Sequence, residues 1–299
     1  MIQLILLAKM INTVKFIINH PLNNRNKVRS LWRFIKWQIN TRLNPYPIIY
    51  QFTEKSKLII WKGLTGATGN LYCGLHEFQD MGFLLHLLRP TDLFVDIGAN
   101  VGSYTILASS EIGANTISIE PITTTFIYLE DNILINRIQE KVTALNIGLG
   151  SQKGVLKFTK SLDTVNHVAT DFNSDSIDVS VDTLDNVIRH RDPLLLKIDV
   201  EGYETEVLKG AENTLSSNNL KAVIIELNGS GERYGYNENN IHNNFLSLGF
   251  LPYEYDPFKR ELTQISIFSS YNTIYVKDLE FVKKRLISAQ KMKINDNIF

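Results

Sequence analysis

The stretch DIGANVGSYT at residues 96–105 places an acid, two glycines and an asparagine directly after an apolar run. Glycine and asparagine accept backbone conformations that other residues resist, so such a turn brings free N–H groups close to a ligand. The turn has no lysine for a phosphate loop, and it reads DxGxNxG where a dinucleotide fingerprint reads GxGxxG. Its acid would repel a bare pyrophosphate and suits a ligand that carries positive charge as well as a carboxylate.

Acids also stand at the ends of other apolar runs in the chain. Four runs that read as strands lead directly to an acid: Asp96, Glu120, Asp199 and Glu226. In a parallel sheet these ends meet at one edge, where open α/β sheets bind ligands, although each acid could instead cap the next helix. Glu120 can accept hydrogen bonds from both ribose hydroxyls of a nucleotide, as in NAD sites. S-adenosylmethionine, with its ammonium, carboxylate and sulfonium, suits the first turn better.

The spacing of these strand ends indicates the fold class. They fall at residues 96, 120, 146, 199 and 226, and three of the four steps match one strand–helix unit each. Short apolar strands that alternate with helices predict a parallel sheet covered on both faces. The long step has room for an insert at 151–181, in which GVLKFT and IDVSVDTL predict further strands. Near the C-terminus, GFLPYEYD and NTIYVKD predict an antiparallel hairpin at the sheet edge.

The segment before the first turn predicts a short lead-in. KLIIWKGL predicts a strand, TGATGN a turn, and HEFQDMGFLLHLLR a helix that Pro90 ends. Cys73 is the single cysteine of the 299 residues, which excludes an internal disulfide framework and favours a reducing, cytoplasmic location. There is no CxxC or HExxH spacing, so a structural zinc site is not expected.

The N-terminal segment is strongly basic. Residues 1–53 carry eight Lys or Arg and no acid, and the rest of the chain carries a net charge of −8. The acidic body argues against nucleic-acid binding, and the basic arm favours an anionic surface or partner. KVRSLWRFIKWQIN predicts an amphipathic helix with a basic face of Arg29, Arg33 and Lys36. Its apolar positions are Val28, Leu31, Trp32, Ile35 and Ile39. This helix either packs on the main domain or lies in the plane of a membrane surface, which would make the protein peripheral at the membrane.

Five stretches, in this order, resemble the FkbM-type S-adenosylmethionine-dependent methyltransferases: FVDIGANVGSYT, ISIEP, NIGLGSQKG, VDTLD and LLKIDVEGYETEVLKGAE. The resemblance covers roughly residues 75–228. It implies a Rossmann-like class I fold, α/β, with a mostly parallel seven-stranded sheet and a reversed C-terminal hairpin. It also implies S-adenosylmethionine as cofactor and O-methylation of a hydroxyl on a glycan, a glycolipid or a secondary metabolite. Residues implied to bind the cofactor are Asp96, Gly98, Asn100 and Gly102 in the turn, Glu120 at the ribose, and Asn146 and Gly148 beside the adenine.

The KIDVEGYE stretch supplies the candidate catalytic residues. Methyl transfer to a hydroxyl needs positioning and a proton acceptor. Asp199 and Glu201, at the end of the fourth strand, could supply the base or could together hold a divalent cation that acidifies the hydroxyl. They could also simply cap the following helix. Lys197 should lie on the same side as Asp199 and pair with it. Further candidate bases are His76, His167 and His242.

The chain is thus divided into four segments. They are a basic amphipathic helical extension (1–50), a lead-in strand and helix (51–90), the methyltransferase domain (91–278) and a C-terminal helix and tail (279–299). Two other functions remain open at this point. One is a non-catalytic cofactor-binding scaffold in a glycan-assembly complex. The other is an NAD-dependent oxidoreductase, which the missing GxGxxG disfavours.

Overall fold

The structure, a computed structural model, describes residues 2–160, 165–170 and 175–299. The helices in chain order are α1 (Ile2–Asn19), α2 (Lys27–Leu43), α3 (Thr65–Cys73), α4 (Phe78–Leu87), α5 (Ser103–Ile106), α6 (Thr123–Asn136), α7 (Leu184–Ile188), α8 (Glu204–Lys209), α9 (Glu212–Ser216), α10 (Glu238–Ser247) and α11 (Leu279–Ile287). A π-helical segment, Leu107–Ile112, continues α5, and 3-10 turns lie at Pro21–Asn23 and Ser230–Tyr234.

The strands alternate with these helices through most of the chain. They are β1 (Ile48–Gln51), β2 (Lys57–Ile60), β3 (Leu93–Ile97), β4 (Asn115–Ile119), β5 (Val142–Leu145), β6 (Gly148–Leu149), β7 (Gly154–Thr159), β8 (Ser176–Asp182), β9 (Leu195–Ile198), β10 (Ala222–Glu226), β11 (Leu251–Asp256), β12 (Glu261–Gln264), β13 (Asn272–Val276), β14 (Lys293–Ile294) and β15 (Asn297–Ile298).

Among the described residues, eight strands form the main sheet, in the order β12-β11-β13-β10-β9-β3-β4-β5. Neighbouring strands from β10 to β5 pair in parallel, which confirms the predicted parallel sheet. The chain moves outward from β3 to β4 and β5 and then returns to the other side of β3 as β9. This reversal makes a topological switch point between β3 and β9, which is where open α/β sheets bind ligands.

Apolar side chains cover the sheet on both faces. On β3, Phe94 belongs to one buried cluster and Val95 to the other, and on β10 Ile224 and Val223 divide in the same way. The first cluster also contains side chains of α2 and α4, and the second contains side chains of α7, α8 and α10. A strand that is buried on both faces reads as a continuous apolar run, which explains the sequence pattern.

The C-terminal part adds a reversed strand and one strand more than predicted. β13 lies between β10 and β11 and is antiparallel to both, which confirms the reversed hairpin. β12 pairs antiparallel with β11 and makes the sheet eight-stranded within the described residues, so the expected count of seven was wrong. The stretch ELTQ is short and mostly exposed, and it has none of the apolar alternation that signals a strand.

The insert between β5 and β9 folds as predicted where it is described. GVLKFT forms β7 and pairs antiparallel with β8, which contains the strand predicted from IDVSVDTL. β6 pairs in parallel with β8 and completes a small separate sheet. Residues 161–164 and 171–174 of the insert lie outside the described residues.

The lead-in differs from the prediction at TGATGN, which belongs to helix α3 and not to a turn. Tertiary packing explains the error. The buried Asn70 donates to the Gly66 carbonyl at 3.2 Å and to Ser103 Oγ at 3.0 Å, and it accepts from His76 N at 2.8 Å. A Cβ atom at Gly69 would lie 2.4 Å from the His76 ring, so glycine is required there by a close approach rather than by a turn.

The predicted amphipathic helix is present as α2, but it packs through a different face. Its buried residues are Ser30, Phe34 and Trp37, and α2 lies against α3. Arg33, predicted on the basic solvent face, points inward and donates to the Tyr72 carbonyl at 2.7 Å. The predicted apolar positions Val28, Trp32, Ile35 and Ile39 are exposed. In the part of the chain that the structure describes, no helix combines the length and apolar character needed to cross a membrane.

Candidate active site

A cavity of about 550 Å³ opens at the carboxyl ends of β3, β4, β9 and β10. Its position is the switch point that the sheet order defines. It is lined by predicted site residues from three separate parts of the chain: Gly98 and Asn100, then Glu120 and Gly148, then Asp199 and Glu201. The fold therefore brings together stretches that lie about a hundred residues apart in sequence.

The turn after β3 contains residues in the left-handed backbone conformation, which glycine and asparagine adopt more readily than other residues. Asn100 has a φ of 51° and Gly98 a φ of 76°, both in the left-handed region. A Cβ atom at Gly98 would lie 1.8 Å from the carbonyl oxygen of Asp199, so any side chain there would collide with the end of β9. Glycine at this position lets the two strand ends meet beneath the cavity.

Glu120 is a buried acid fixed at the end of β4. Its carboxylate accepts hydrogen bonds from the backbone N–H groups of Asn100, at 2.9 Å, and Ile122, at 3.0 Å. Burial raises its pKa to about 7, although these two donors oppose the shift. The carboxylate is therefore rigidly placed on the cavity wall beside the glycine turn.

Three residues predicted at the cofactor do not line the cavity: Asp96, Gly102 and Asn146. The buried Asp96 accepts from Thr105 N at 3.1 Å and Thr105 Oγ1 at 2.7 Å, so it holds the start of α5. Its Oδ1 has no hydrogen-bond partner among the described residues, and burial raises its pKa. Asn146 donates to the Glu120 carbonyl at 2.8 Å and so ties β5 to the end of β4.

Apolar side chains form one wall of the cavity near Glu120. Ile147 and Leu149 flank Gly148 on this wall, and Phe158 of β7 adds an aromatic ring. A Cβ atom at Gly148 would approach that ring to 3.0 Å. Apolar and aromatic side chains of this kind can pack against a heteroaromatic base.

Asp199, Glu201 and Glu226 face the cavity from the ends of β9 and β10. In the described part of the chain they form a group whose oxygens lie within 4.8 Å of one another. Burial, together with the charge of Asp199, raises the pKa of Glu201 to about 7 and also raises that of Glu226. Like charges this close repel one another, which adds to the effect of burial on Glu201 and Glu226.

Helix capping does not account for Asp199 and Glu201. The N–H groups of Val200 and Gly202 donate to Glu204 Oε1, at 3.1 and 3.2 Å, so Glu204 stabilises this loop. Glu201 has a φ of 54°, an uncommon left-handed conformation for a residue other than glycine. Such strain is concentrated at functional sites, and here it accompanies a side chain on the cavity wall.

Lys197 pairs with Asp199 as the strand alternation predicts. Its Nζ lies 2.8 Å from Asp199 Oδ2, and the side chain is buried. Burial alone would lower the pKa of Lys197, but Asp199, Glu77 and Asp96 together raise it above its usual value. The ammonium therefore stays charged beneath the carboxylates and also lies 4.9 Å from the centre of the Tyr104 ring.

Of the three candidate histidines, one lines the cavity and two lie elsewhere. His76 lines the cavity, and its ring lies edge-on to Phe16. The His167 ring hydrogen-bonds the Val165 carbonyl, and the buried His242 bonds the Tyr275 hydroxyl, and neither lines the cavity.

Sequence reasoning missed several residues that line the cavity. Tyr104 donates to Glu77 at 2.7 Å, and both line the cavity. Asn12, Thr13 and Phe16 of α1 also line it, so the N-terminal extension forms part of the wall. No local pattern identifies these residues, because packing of α1 and α4 places them there.

The sheet order and the cavity at the switch point define a Rossmann-like α/β fold, with the cavity where such folds bind ligands. Residues 96–252 match the Methyltransferase FkbM domain. This match covers just over half of the 299 residues, and the chain belongs to the FkbM methyltransferase family.

A curated relative is similar to the same region. The hexuronic acid methyltransferase AglP of Haloferax volcanii is 32% identical over 147 residues, which are 48% of this chain. The match spans 59% of the length of that relative.

Two solved structures were also compared with the chain. The methyltransferase FkbM from Methylobacillus flagellatus KT is 18% identical, with a TM-score of 0.45, over 70% of this chain and 52% of that one. The M. capricolum protein TrmK in complex with S-adenosyl-homocysteine is 10% identical, with a TM-score of 0.38, over 67% of this chain and 68% of that one.

Proposed function

We propose that this protein is an S-adenosylmethionine-dependent methyltransferase that methylates a hydroxyl oxygen of a glycan or glycolipid. The observation that carries the proposal is the arrangement of the cavity. A glycine turn and a fixed acid, Glu120, lie at one end, and the carboxylates of Asp199, Glu201 and Glu226 lie at the strand ends beside it. Family membership supports methyl transfer.

The cofactor assignments follow from what each residue offers. Glu120 would accept the ribose hydroxyls, since its carboxylate is fixed by backbone donors and retains further lone pairs. Gly98 and Asn100 would border the methionine part, and Gly148 with Phe158 the adenine. Asp96, Gly102 and Asn146 would act by positioning the turn and the strand ends. The bound cofactor would supply an electrophilic methyl group on a sulfonium.

Proton removal would fall to the carboxylates at the ends of β9 and β10. Asp199 or Glu201 would accept the proton that the acceptor hydroxyl gives up as its oxygen takes the methyl group from the sulfonium. Lys197 holds the Asp199 carboxylate in place through their 2.8 Å contact. Alternatively, the same carboxylates could bind a divalent cation. Lys197 would compete with that cation, because its ammonium already contacts Asp199. Turnover unchanged by EDTA would support the proton-acceptor role, and loss restored by Mg²⁺ would support the cation.

The acceptor class follows from the curated relative, which is a hexuronic acid methyltransferase. We propose a sugar that contains or neighbours a uronic acid. Mass spectrometry of glycans and glycolipids from cells with and without the gene should reveal a species that lacks one CH₂ when the gene is absent. Mild alkali distinguishes the oxygen, because a methyl ether survives it and a methyl ester is released. Release of the methyl group would contradict the hydroxyl assignment.

A further inference from the structure

Helix α2 exposes an apolar stripe that the described part of the chain leaves uncovered. Val28, Trp32, Ile35, Ile39 and Leu43, which we name the α2 stripe, recur at helical spacing along one side of α2. Their exposed fractions are 79%, 56%, 43%, 51% and 81%. The buried side of the same helix carries Phe34 and Trp37. A contiguous apolar row on an outer surface is uncommon and marks an interaction site.

Cations border this stripe. At 100° per residue, Lys36 and Arg42 fall on opposite sides of the row, and both are exposed. Residues 1–53, which include all of α1 and α2, hold eight Lys or Arg and no acid. Arg29 is paired with Asp296, 2.8 Å away, and Arg33 points inward, so Lys36 and Arg42 supply the charge that borders the stripe. The partner must therefore combine an apolar interior with negative charge at its surface.

We propose that the α2 stripe docks in the plane of an anionic lipid bilayer. An in-plane helix of this kind buries its apolar side at the boundary of headgroups and acyl chains while Lys and Arg meet lipid phosphates. Trp32, near the middle of the row, is the residue type enriched at that boundary. A second copy of this chain fits less well, because a two-fold contact through this face would bring Lys36 and Arg42 toward their own copies. A nucleic acid would leave the apolar row without a partner.

The docking surface and the cavity belong to one helical pair. α1 packs against α2, and α1 contributes Asn12 and Phe16 to the cavity wall. Docking through α2 would therefore hold the cavity wall close to the membrane surface. The inference depends only on the surface of α2 and does not rest on the proposed methyl transfer, so an Asp199→Asn variant should bind membranes normally.

Sedimentation of the full chain with vesicles tests the proposal. The wild-type protein should sediment with vesicles of phosphatidylcholine and phosphatidylglycerol, bind phosphatidylcholine alone weakly, and be released by high salt. The Trp32→Ser, Ile35→Ser double variant should lose about tenfold or more of this binding. Ile287→Ser, at an exposed isoleucine of α11 at the other end of the chain, is the matched control and should bind as the wild type does. Unchanged thermal midpoints would show that the variants are folded.

Fluorescence gives a second readout on the same samples. Anionic vesicles should shift tryptophan emission to the blue. Trp32→Phe should abolish the shift while the protein still sediments, because Trp37 is already buried and Trp61 lies outside α2, against the Tyr128 ring. The proposal is overturned if wild-type protein stays in solution with both vesicle types, or if the Ile287→Ser control loses as much binding as the double variant. It is also overturned if the double substitution converts a dimer to a monomer without changing vesicle binding.

Discussion

Asp199, Glu201 and Glu226 each place a carboxylate oxygen within 4.8 Å of the others, so the charge of Asp199 raises the cost of ionising Glu201 and Glu226. Lys197 offsets part of their mutual repulsion through its 2.8 Å contact with Asp199. Burial still raises the pKa of Glu201 to about 7. A carboxylate that titrates near neutral pH is well matched to accept a proton from a substrate hydroxyl.

Replacing the proposed bases should slow turnover far more than it weakens cofactor binding. Asp199→Asn and Glu201→Gln remove a proton acceptor but keep the shape of the side chain, so we expect turnover to fall by about 10²–10⁴-fold. The assay is S-adenosylhomocysteine release, with cofactor affinity measured in parallel. Glu232→Gln, at an exposed acid in the neighbouring 3-10 turn, should leave the rate unchanged. Near-normal turnover in both site variants would place the base elsewhere.

The pH dependence of kcat/KM should follow Glu201. Its pKa is raised to about 7, and only the ionised form accepts a proton, so kcat/KM should rise as pH increases through about 7 and then level off. Steady-state assays between pH 5.5 and 8.5 would measure this. A rate that falls over the same interval would require a group that acts in its protonated form.

Glu120 should determine cofactor affinity. Glu120→Gln leaves a single amide oxygen to accept from Asn100 or Ile122, and it removes the charge that the ribose hydroxyls would meet. Affinity for S-adenosylhomocysteine should therefore fall about tenfold to a hundredfold. Calorimetric titration measures the change. Glu130→Gln, at an exposed acid of α6, is the matched control. Equal affinities for the two variants would contradict the ribose assignment.

The elements differ in how far the sequence predicts them. The central strands and α4 follow from apolar periodicity, because each is buried by a regular pattern. α3 was not predictable, since its glycines signal a turn unless the His76 ring packed against Gly69 is known. The sequence also does not show which side of α2 faces solvent. Phe34 and Trp37 on the buried side are as apolar as the exposed row, so the pattern fits either orientation. In the site, the strand-end residues were predictable, whereas Glu77 and the α1 residues depend on tertiary packing.

Gly69 offers a test of the packing of α3. Alanine favours helices over glycine, but its Cβ atom at this position would lie 2.4 Å from the His76 ring. Gly69→Ala should therefore destabilise the protein by about 1–3 kcal/mol. Gly154→Ala, where the added Cβ meets no atom within 4 Å, should be close to neutral. Chemical denaturation measures both, and a stabilised Gly69→Ala variant would contradict the observed packing.

The free energy of unfolding of the whole chain should depend on pH, because several glutamates in and beside the site are buried in the folded protein. Burial raises the pKa of Glu120, Glu201 and Glu204 to about 7, from an ordinary value of 4.5. Between these values the folded chain holds protons that the unfolded chain has released, so the free energy of unfolding falls as pH rises. Burial lowers the pKa of His20 from its ordinary value of 6.5 to about 4. His20 therefore makes the free energy of unfolding rise with pH, and it does so between about pH 4 and 6.5.

The effect of the buried glutamates on stability should therefore be measured from pH 6.5 to 8, where His20 no longer opposes it. Scanning calorimetry of the cofactor-free protein should show a melting temperature that falls across this interval. Glu204→Gln should flatten the decline, and Glu212→Gln, at an exposed acid, should leave it as it is. A melting temperature that rises from pH 6.5 to 8 would show that the acids are ionised in the folded protein at little cost.

In the proposed site, one cavity joins the cofactor turn to a group of proton acceptors. A crystal structure of the protein with S-adenosylhomocysteine would show whether the two halves of the cavity act together. We predict that the ribose hydroxyls bond to Glu120, the adenine lies beside Gly148 and Phe158, and the sulfur faces Asp199 and Glu201. A ligand bound outside this cavity, or one whose sulfur points away from these carboxylates, would contradict the account.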